Sequence, residues 1–460
     1  MTIQVKVKSD KLVTPSYENV GRRTDEKVTL SIFDTVTYNT NFSVVFTFRA
    51  PTVSNGVLER SLCRLLAEYP EWAGRLAVDS EPPCSPVILL NDRGVRFIEA
   101  TSDCALSDAV PAEGAPTPDL LDLHGDKQQD RTSAAVEDEP LLQVQLTRFS
   151  CGGLAVGLTV HHLVADGSAA CLFWLAWGRA ARGLLSRPRP TLDRMQFPPR
   201  NPLTIEFEHR GVEYAASAPV LAAAAAAMHS DTEAVENIVI HKARFSANFL
   251  RKLKAKASQG VDAVPPSKRP YSTFETLVAH LWRAVTRSRG LEGHVKTHIR
   301  ISVDGRRRLV PPVPDEYFGN LVLWAFPEAT VGELFHLPLH RAAGLIREAV
   351  AKVDDRYFRS FVDFSEQTSK VVTEERLVPT AEMENRVLSP HLEVDSWLRF
   401  PFYDVNFGSG PPDLFTPTWL PYEGFLVLLA SPSGDGSVDV LVPLLRERMP
   451  SFKEICYCLD

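Results

Sequence analysis

The 460-residue chain exceeds what a single hydrophobic core ordinarily supports, so two domains of roughly 200 residues each are expected. Its 44% hydrophobic and 23% charged residues are those of an ordinary globular protein, which excludes a disordered or fibrous chain. With 50 Lys+Arg against 57 Asp+Glu, the formal net charge of −7 argues against wholesale binding to nucleic acid or to an anionic membrane.

In chain order, MTIQVKVKSDKLV alternates polar and apolar residues as a first strand does, and it lacks the apolar stretch of a secretory leader. SVVFTF is the next strand, and helical spacing then runs from Val57 to Leu76. Residues 102–140 mix Pro, Gly, Ser and acids without periodicity and read as a long surface excursion. VQLTRF and LAVGLTV are strands, and AACLFWLAWGRAARG is an apolar helix. The span 184–236 begins Pro-rich and continues into the low-complexity run LAAAAAAM, as a crossover between domains often does. Beyond it, IVIHKARF, IRISVDG, LVLWAF and FLVLLAS are strands, while TFETLVAHLWRAVTRSRG and GELFHLPLHRAAGLIREAVAKV are helices. PPVPDEYFGN, at 311–320, breaks the chain between two strands. The pattern is α/β repeated twice: an N-terminal domain over 1–190, a crossover over 191–236 and a C-terminal domain over 237–460.

The seven cysteines (Cys63, Cys84, Cys104, Cys151, Cys171, Cys456, Cys458) are odd in number, scattered and free of C-x-x-C pairs. A reducing compartment follows, and with it a cytoplasmic location. Cys456 and Cys458, around Tyr457, read as part of a buried or frayed strand rather than a thiol site.

The turn HHLVADGS, at 161–168, joins the apolar strand LAVGLTV to an apolar helix, and such turns commonly present side chains at one edge of a sheet. Asp166 or Ser168 would cap the helix, and Gly167 permits positive φ. Three readings of the two histidines stand side by side. They are plain turn residues; or one of them binds a metal with Asp166, although no other His/Asp/Glu/Cys cluster offers the missing ligands; or one is a general base, since an imidazole pKa of roughly 6.5 suits proton transfer at neutral pH. No G-x-S-x-G elbow, Walker loop or dinucleotide fingerprint accompanies them. A lone base suits a substrate that already carries its leaving group, such as a thioester.

His162-Leu-Val-Ala-Asp166-Gly167 resembles the H-x-x-x-D-G motif of the plant BAHD acyltransferases, which use acyl-coenzyme A thioesters. The resemblance covers nearly the whole chain: Glu71-Trp-Ala-Gly-Arg-Leu76, TFETLVAHLWR, VDGRRR at 303–308, Tyr317-Phe-Gly-Asn320 and the late SWLRFPFYDVNFGSG stand in the family's order. It implies two similar chloramphenicol-acetyltransferase-like α/β domains with a channel at their interface. It also implies acyl-CoA as co-substrate and a monomer; no permanently bound cofactor or metal is expected, and the net charge leaves no membrane or nucleic-acid partner expected. His162 is then the base, and His161 a structural neighbour. Asp166 braces the turn by pairing with an arginine, for which Arg306 and Arg308 are the candidates beside a solvated basic run. Trp397 matches a position whose indole N–H is suggested to donate to the tetrahedral oxyanion, against simple core packing. The family pattern D-F-G-W-G becomes Asn406-Phe407-Gly408-Ser409-Gly410 here, a departure that bears on packing more than on catalysis.

HLEVDSWLRF, together with ILLNDRGVRFIEAT and QLTRFSCGGLAVGLTVHHLVADG, is similar to the monocot amine N-acyltransferases that join hydroxycinnamoyl groups to agmatine, putrescine or tryptamine. On a strand over 391–400, Glu393 and Asp395 point to one face, where two carboxylates would attract a cationic acceptor. The alternative leaves Glu393 solvated and Asp395 paired internally. Lys254, in the basic run 251–256, and the helix start Ser272-Thr273 are candidate contacts for the coenzyme A phosphates, with a solvated helix face as the alternative for the lysines. The expected activity is N-acylation of a small amine. O-acylation of an alcohol such as shikimate, or a non-catalytic relative that kept the fold, are the competing outcomes.

Overall fold

A computed structural model describes residues 3–18, 21, 26–80, 85–110, 116–125, 138–184, 189–216, 236–258, 269–370, 377–382 and 386–459. The LAAAAAAM run and Cys84 lie outside the described residues. The chain divides into two compact units: Met1–Arg200 with Pro312–Leu321 and Phe400–Trp419, and Asn201–Pro311 with Val322–Arg399 and Leu420–Asp460.

The first unit is built on a six-stranded mixed sheet in the order Val5–Val13, Val95–Ser102, Leu142–Phe149, Leu154–His161, Asn41–Phe48, Leu414–Pro417. All neighbours are antiparallel except the parallel pair Val95–Ser102 and Leu142–Phe149. Leu154–His161 is buried along its whole length, in keeping with the apolar run Leu154–Leu158 that opens it. The helices Asn55–Leu66 and Gly167–Ala181 pack against each other, and Trp177 Nε1 donates to Leu58 O and Ser61 Oγ, each at 3.1 Å. Trp174 and Trp177 are fully buried; at about 200 Å² each and about 25 cal/mol/Å², each contributes roughly 5 kcal/mol of gross apolar burial. Within 102–140, read as a surface excursion, Leu106–Ala109 is a short helix and Pro118–Leu123 a 3₁₀ turn. Leu106, Leu120 and Leu123 join the core around Val45 and Ala155.

The second unit carries a sheet in the order Ile238–Phe245, Val438–Leu445, Phe425–Ala430, Leu392–Ser396, Lys296–Asp304, Val322–Ala325, with Glu328–Thr330 also on Lys296–Asp304. Lys296–Asp304 alternates strictly. Thr297, Ile299, Ile301 and Val303 are buried, while His298, Arg300 and Ser302 face the other way and are partly exposed. The helices Ala247–Ser258, Leu339–Lys352 and Met449–Ile455 pack around Thr273–Arg289, which begins in a Ser272–Glu275 capping box and ends at Gly290 with φ of 66°.

Several expectations change. The two units are not the contiguous blocks 1–190 and 237–460: Leu414–Pro417 pairs with Asn41–Phe48, which carries the NFGSG turn before it into the first unit. Helical spacing over Val57–Leu76 is interrupted at Pro70, which opens a 3₁₀ turn, and a strand begins at Arg75. Pro338 likewise divides Val331–His336 from Leu339–Lys352. Cys456 and Cys458 follow the helix Met449–Ile455 and are not in a strand; Cys456 is buried and Cys458 exposed. Among the described residues no helix is long and apolar enough to cross a membrane.

Candidate active site

His161 closes its strand opposite Asn41, and its own ring is consumed locally, with Nδ1 accepting from Leu163 N–H at 3.3 Å. His162 follows outside the strand. Its backbone N–H donates to Thr40 O at 2.9 Å, and its carbonyl accepts from Asn320 Nδ2 at 2.8 Å. The ring lies beside Phe42 and Tyr38, with centroids 5.2 and 5.9 Å away, and Nδ1 is 3.3 Å from Thr37 Oγ1. It keeps a partly exposed edge amid dense protein. Burial therefore pushes its pKa below the usual 6.5 against the opposing pull of Asp166, Asn320 and Asp34, so the imidazole is neutral at physiological pH.

The loop that presents His162 is held by buried charges. Asp166 is the N-cap of Gly167–Ala181: Oδ1 accepts from Ala169 N at 2.9 Å and Oδ2 from Leu321 N at 3.0 Å. Asp34, wholly buried, caps its own short helix through Ser31 and accepts from Arg194 Nη1 at 2.8 Å, Asn320 N at 2.8 Å and Asn320 Nδ2 at 3.0 Å. Arg194 continues to Val164 O at 2.7 Å, inside the HHLVADG turn. Burial alone would lower the Arg194 pKa, but Asp34, Tyr317 and Glu71 outweigh it, so the guanidinium stays charged. Asn320 thus ties Asp34 to the His162 carbonyl, which gives Tyr317-Phe-Gly-Asn320 a physical role.

Gly167 serves differently from the expectation. It has no positive φ; it is the first helical residue, and a Cβ there would lie 2.9 Å from the Phe400 ring. Of the two candidate caps, Asp166 does the capping. In the late turn, Asn406 Oδ1 accepts from Gly408 N at 2.7 Å and Gly410 N at 3.2 Å, and both glycines have positive φ. Phe407 is buried between Phe48 and Trp177. A neutral Asn supplies the acceptor this turn needs, so losing the family's Asp leaves the turn intact.

The second unit holds the remaining candidates. Leu392–Ser396 places Glu393 and Asp395 on one face, with Arg300 the register partner of Glu393 on the neighbouring strand. Ser302 Oγ donates to Asp395 Oδ1 at 2.6 Å, and the Arg300 guanidinium lies 4.0 Å from the Trp324 ring centroid. Glu393 is buried and so is not solvated. The Asp395 pKa is pushed up to about 6, first by burial and then by Glu393, against the Ser302 hydrogen bond and Arg300. Trp397 is partly buried, and its backbone N–H donates to Leu428 O at 2.9 Å.

Arg306 is buried and meets Asp304 through its backbone N–H and through Nη1, at 3.0 and 3.1 Å. Arg308 Nη1 donates to the Val350 and Val353 carbonyls, bracing the end of Leu339–Lys352. Ser272 is committed to its capping box, and the Glu275 carboxylate sits at that helix start between Arg269 and Arg347. The helix end expected to meet a phosphate thus carries an anion of its own. Lys254 stands partly exposed on Ala247–Ser258. Among the described residues no group of three metal-ligating side chains occurs.

A model of the transferase family matches residues 3–459. The chain belongs to the BAHD acyltransferase family. It is 49% identical over 465 residues to agmatine hydroxycinnamoyltransferase 1 of Oryza sativa subsp. japonica, covering 99% of each chain. Identity to agmatine coumaroyltransferase-1 of Hordeum vulgare is 46% over 462 residues, covering both chains completely. Among solved structures, vinorine synthase aligns with a TM-score of 0.70 at 21% identity, over 97% of this chain and 96% of that one, a likeness of fold. This BAHD chain is accordingly an acyl-CoA-dependent acyltransferase. His162 and the two carboxylates are legible in the sequence, whereas Thr37, Asp34 and Arg194 are not. The one signal for Asp34 was the capping spacing Ser31-x-x-Asp34.

Proposed function

We propose that this chain moves a hydroxycinnamoyl group from its coenzyme A thioester to the primary amine of agmatine or a similar small cation, giving an amide and free coenzyme A. The observation that carries this reading is the pair Glu393 and Asp395 on one strand face ahead of Trp397, in a chain 49% identical to a rice agmatine hydroxycinnamoyltransferase. Buried carboxylates of this kind suit a guanidinium or a second ammonium, which a neutral alcohol does not offer.

His162 Nε2 takes a proton from the acceptor nitrogen as that nitrogen bonds to the thioester carbonyl carbon. The C–S bond then breaks, and the thiolate leaves as coenzyme A. Because an alkylammonium has a pKa near 10.4, only about one amine in two thousand is nucleophilic at pH 7, so a neutral imidazole at the nitrogen matters. Trp397 is assigned as the oxyanion donor, and Lys254 is kept as the phosphate contact of this reading, whereas Ser272 and Thr273 at the Glu275-capped helix start are not. A cytoplasmic location completes it, with support from six free cysteines among the described residues, and the chain is taken to act as a monomer.

The test is incubation with p-coumaroyl-CoA and agmatine, putrescine, tryptamine, tyramine or shikimate, followed by mass detection. Amides of the cationic acceptors are expected, and His162→Ala should abolish them. A shikimate ester as sole product would overturn the amine assignment, and thiol release without any acylated acceptor would overturn transfer altogether.

A further inference from the structure

We infer that Arg300 is a specificity-determining residue, a built-in guanidinium that leaves the acid face with one net negative charge and so selects acceptors carrying a single cation beyond the reacting amine. The inference rests on Glu393 and Asp395 being the acceptor's contacts. Arg300 lies on Lys296–Asp304, in register with Glu393 on the parallel strand Leu392–Ser396. Residues in register on neighbouring strands share a face, and two residues along Ser302 meets Asp395 at 2.6 Å on that same face. The guanidinium does not depend on the carboxylates for its place. Its central carbon lies 4.0 Å from the ring centroid of Trp324, which is 2% exposed and in register with Ser302.

The charge of this face follows from its other members. Phe425 and Val427, in register with Glu393 and Asp395 on the next strand, are uncharged. His298, two residues before Arg300, stacks on His391 with centroids 3.7 Å apart, and burial together with His391 pushes its pKa down to about 4. Burial and Arg289 lower the pKa of His391 as well, so both rings are neutral at pH 7.5. Glu328, in register with His298, is paired with Lys296 at 3.1 Å. Farther along the sheet Lys242 lies 3.4 Å from Asp439, and Arg244 3.6 Å from Asp435. Each of these pairs cancels, so Glu393, Asp395 and Arg300 decide the sum: two negative charges and one positive. Arg300 is the weakest of the influences on Asp395, behind burial, Glu393 and Ser302. Its removal therefore leaves Asp395 largely ionised at pH 7.5 and uncovers a second charge on the face. That charge favours an acceptor with two distal cations over an acceptor with one.

The experiment measures kcat/KM with p-coumaroyl-CoA at pH 7.5 for agmatine, with one cation beyond the reacting amine, and for spermidine, with two. The full chain is compared with Arg300→Met, which removes the charge and keeps the length, and with Arg300→Lys, which keeps the charge. Arg300→Met is expected to raise the spermidine-to-agmatine ratio about tenfold, with the KM for p-coumaroyl-CoA in place. High salt should shrink that gain, and Arg300→Lys should hold the parental ratio. Adding Glu393→Gln to Arg300→Met returns the face to one net negative charge and should bring the ratio back, whereas a ratio raised by altered packing would stay raised. A parental ratio in Arg300→Met overturns the inference, as does a raised ratio that Glu393→Gln fails to reverse. Should Arg300→Met melt early, Arg300→Gln, alone and with Glu393→Gln, gives the same readout. A parent enzyme that forms no agmatine amide would instead refute the acceptor reading itself, so the two failures are separable.

Discussion

Asp395 is the residue whose charge is most open to adjustment. Desolvation and the neighbouring Glu393 both favour its neutral form, which brings its pKa up to about 6. Below that value the face loses one of the two charges proposed to hold a cationic acceptor, so the KM for agmatine should rise as pH falls from 7 to 5. Asp395→Asn should raise the agmatine KM at pH 7.5 by about tenfold and flatten its pH dependence, leaving the KM for p-coumaroyl-CoA in place. An Asn variant with parental agmatine KM would remove Asp395 from acceptor binding. The sign for stability is opposite: an acid whose pKa is raised on folding opposes ionisation, so its contribution is complete below about 4 and lost as pH rises through about 6. At this scale the sequence revealed His162, Glu393 and Asp395, because each lies in a short stretch with its own local logic. Thr37 and Arg194 escaped it, since their partners are 125 and 160 residues away and nothing near them in sequence marks the contact.

At the scale of the element, the helix Gly167–Ala181 shows what composition can and cannot reveal. Its apolar character made it legible as a buried helix. Its glycines, by contrast, answer to chains that arrive late: Phe400 faces Gly167, and the backbone of Asn406 faces Gly178. A Cβ on Gly178 would lie 2.8 Å from Asn406 O and 3.0 Å from Asn406 N, main-chain atoms of a turn fixed by its own side-chain hydrogen bonds. In an isolated helix, Gly→Ala would add about 1 kcal/mol of stability. Here the overpacking cost of about 1–3 kcal/mol should win, so Gly178→Ala is expected to lower the Tm by several degrees. At Gly167 the obstacle is the far edge of a partly exposed ring that can swing aside, so Gly167→Ala should be milder. A Gly178→Ala protein melting at or above the parent would show that the Asn406 turn gives way. Helix ends marked by proline were misjudged for a related reason: hydrophobic spacing carries on through Pro70 and Pro338, whereas the backbone hydrogen bonding does not. The helix Asp355–Lys370, rich in charged and polar residues, gave no apolar run to find.

At the scale of the molecule, strands and helices alternating in both halves were readable from period alone, but the division of the chain was not. Composition locates a crossover only where local character changes, and the first unit borrows two segments from beyond residue 300. Those segments are structural necessities. Leu414–Pro417 covers the edge of Asn41–Phe48, while Asn320 and Leu321 supply the donors that satisfy the buried carboxylates Asp34 and Asp166. Without them a fragment of residues 1–236 would expose the apolar edge strand SVVFTF, and Asp34 and Asp166 would lose the Asn320 and Leu321 donors while keeping Arg194 and Ala169 N; each hydrogen bond lost from a buried carboxylate costs about 1.5–3 kcal/mol against a total stability of about 5–15. Such a fragment is expected to be aggregated or to lack a cooperative melt by circular dichroism, whereas the full chain melts cooperatively. A soluble 1–236 fragment with a sharp transition within a few degrees of the parent would mean that Asp34 and Asp166 find other partners, and that the late segments decorate the first unit without completing it.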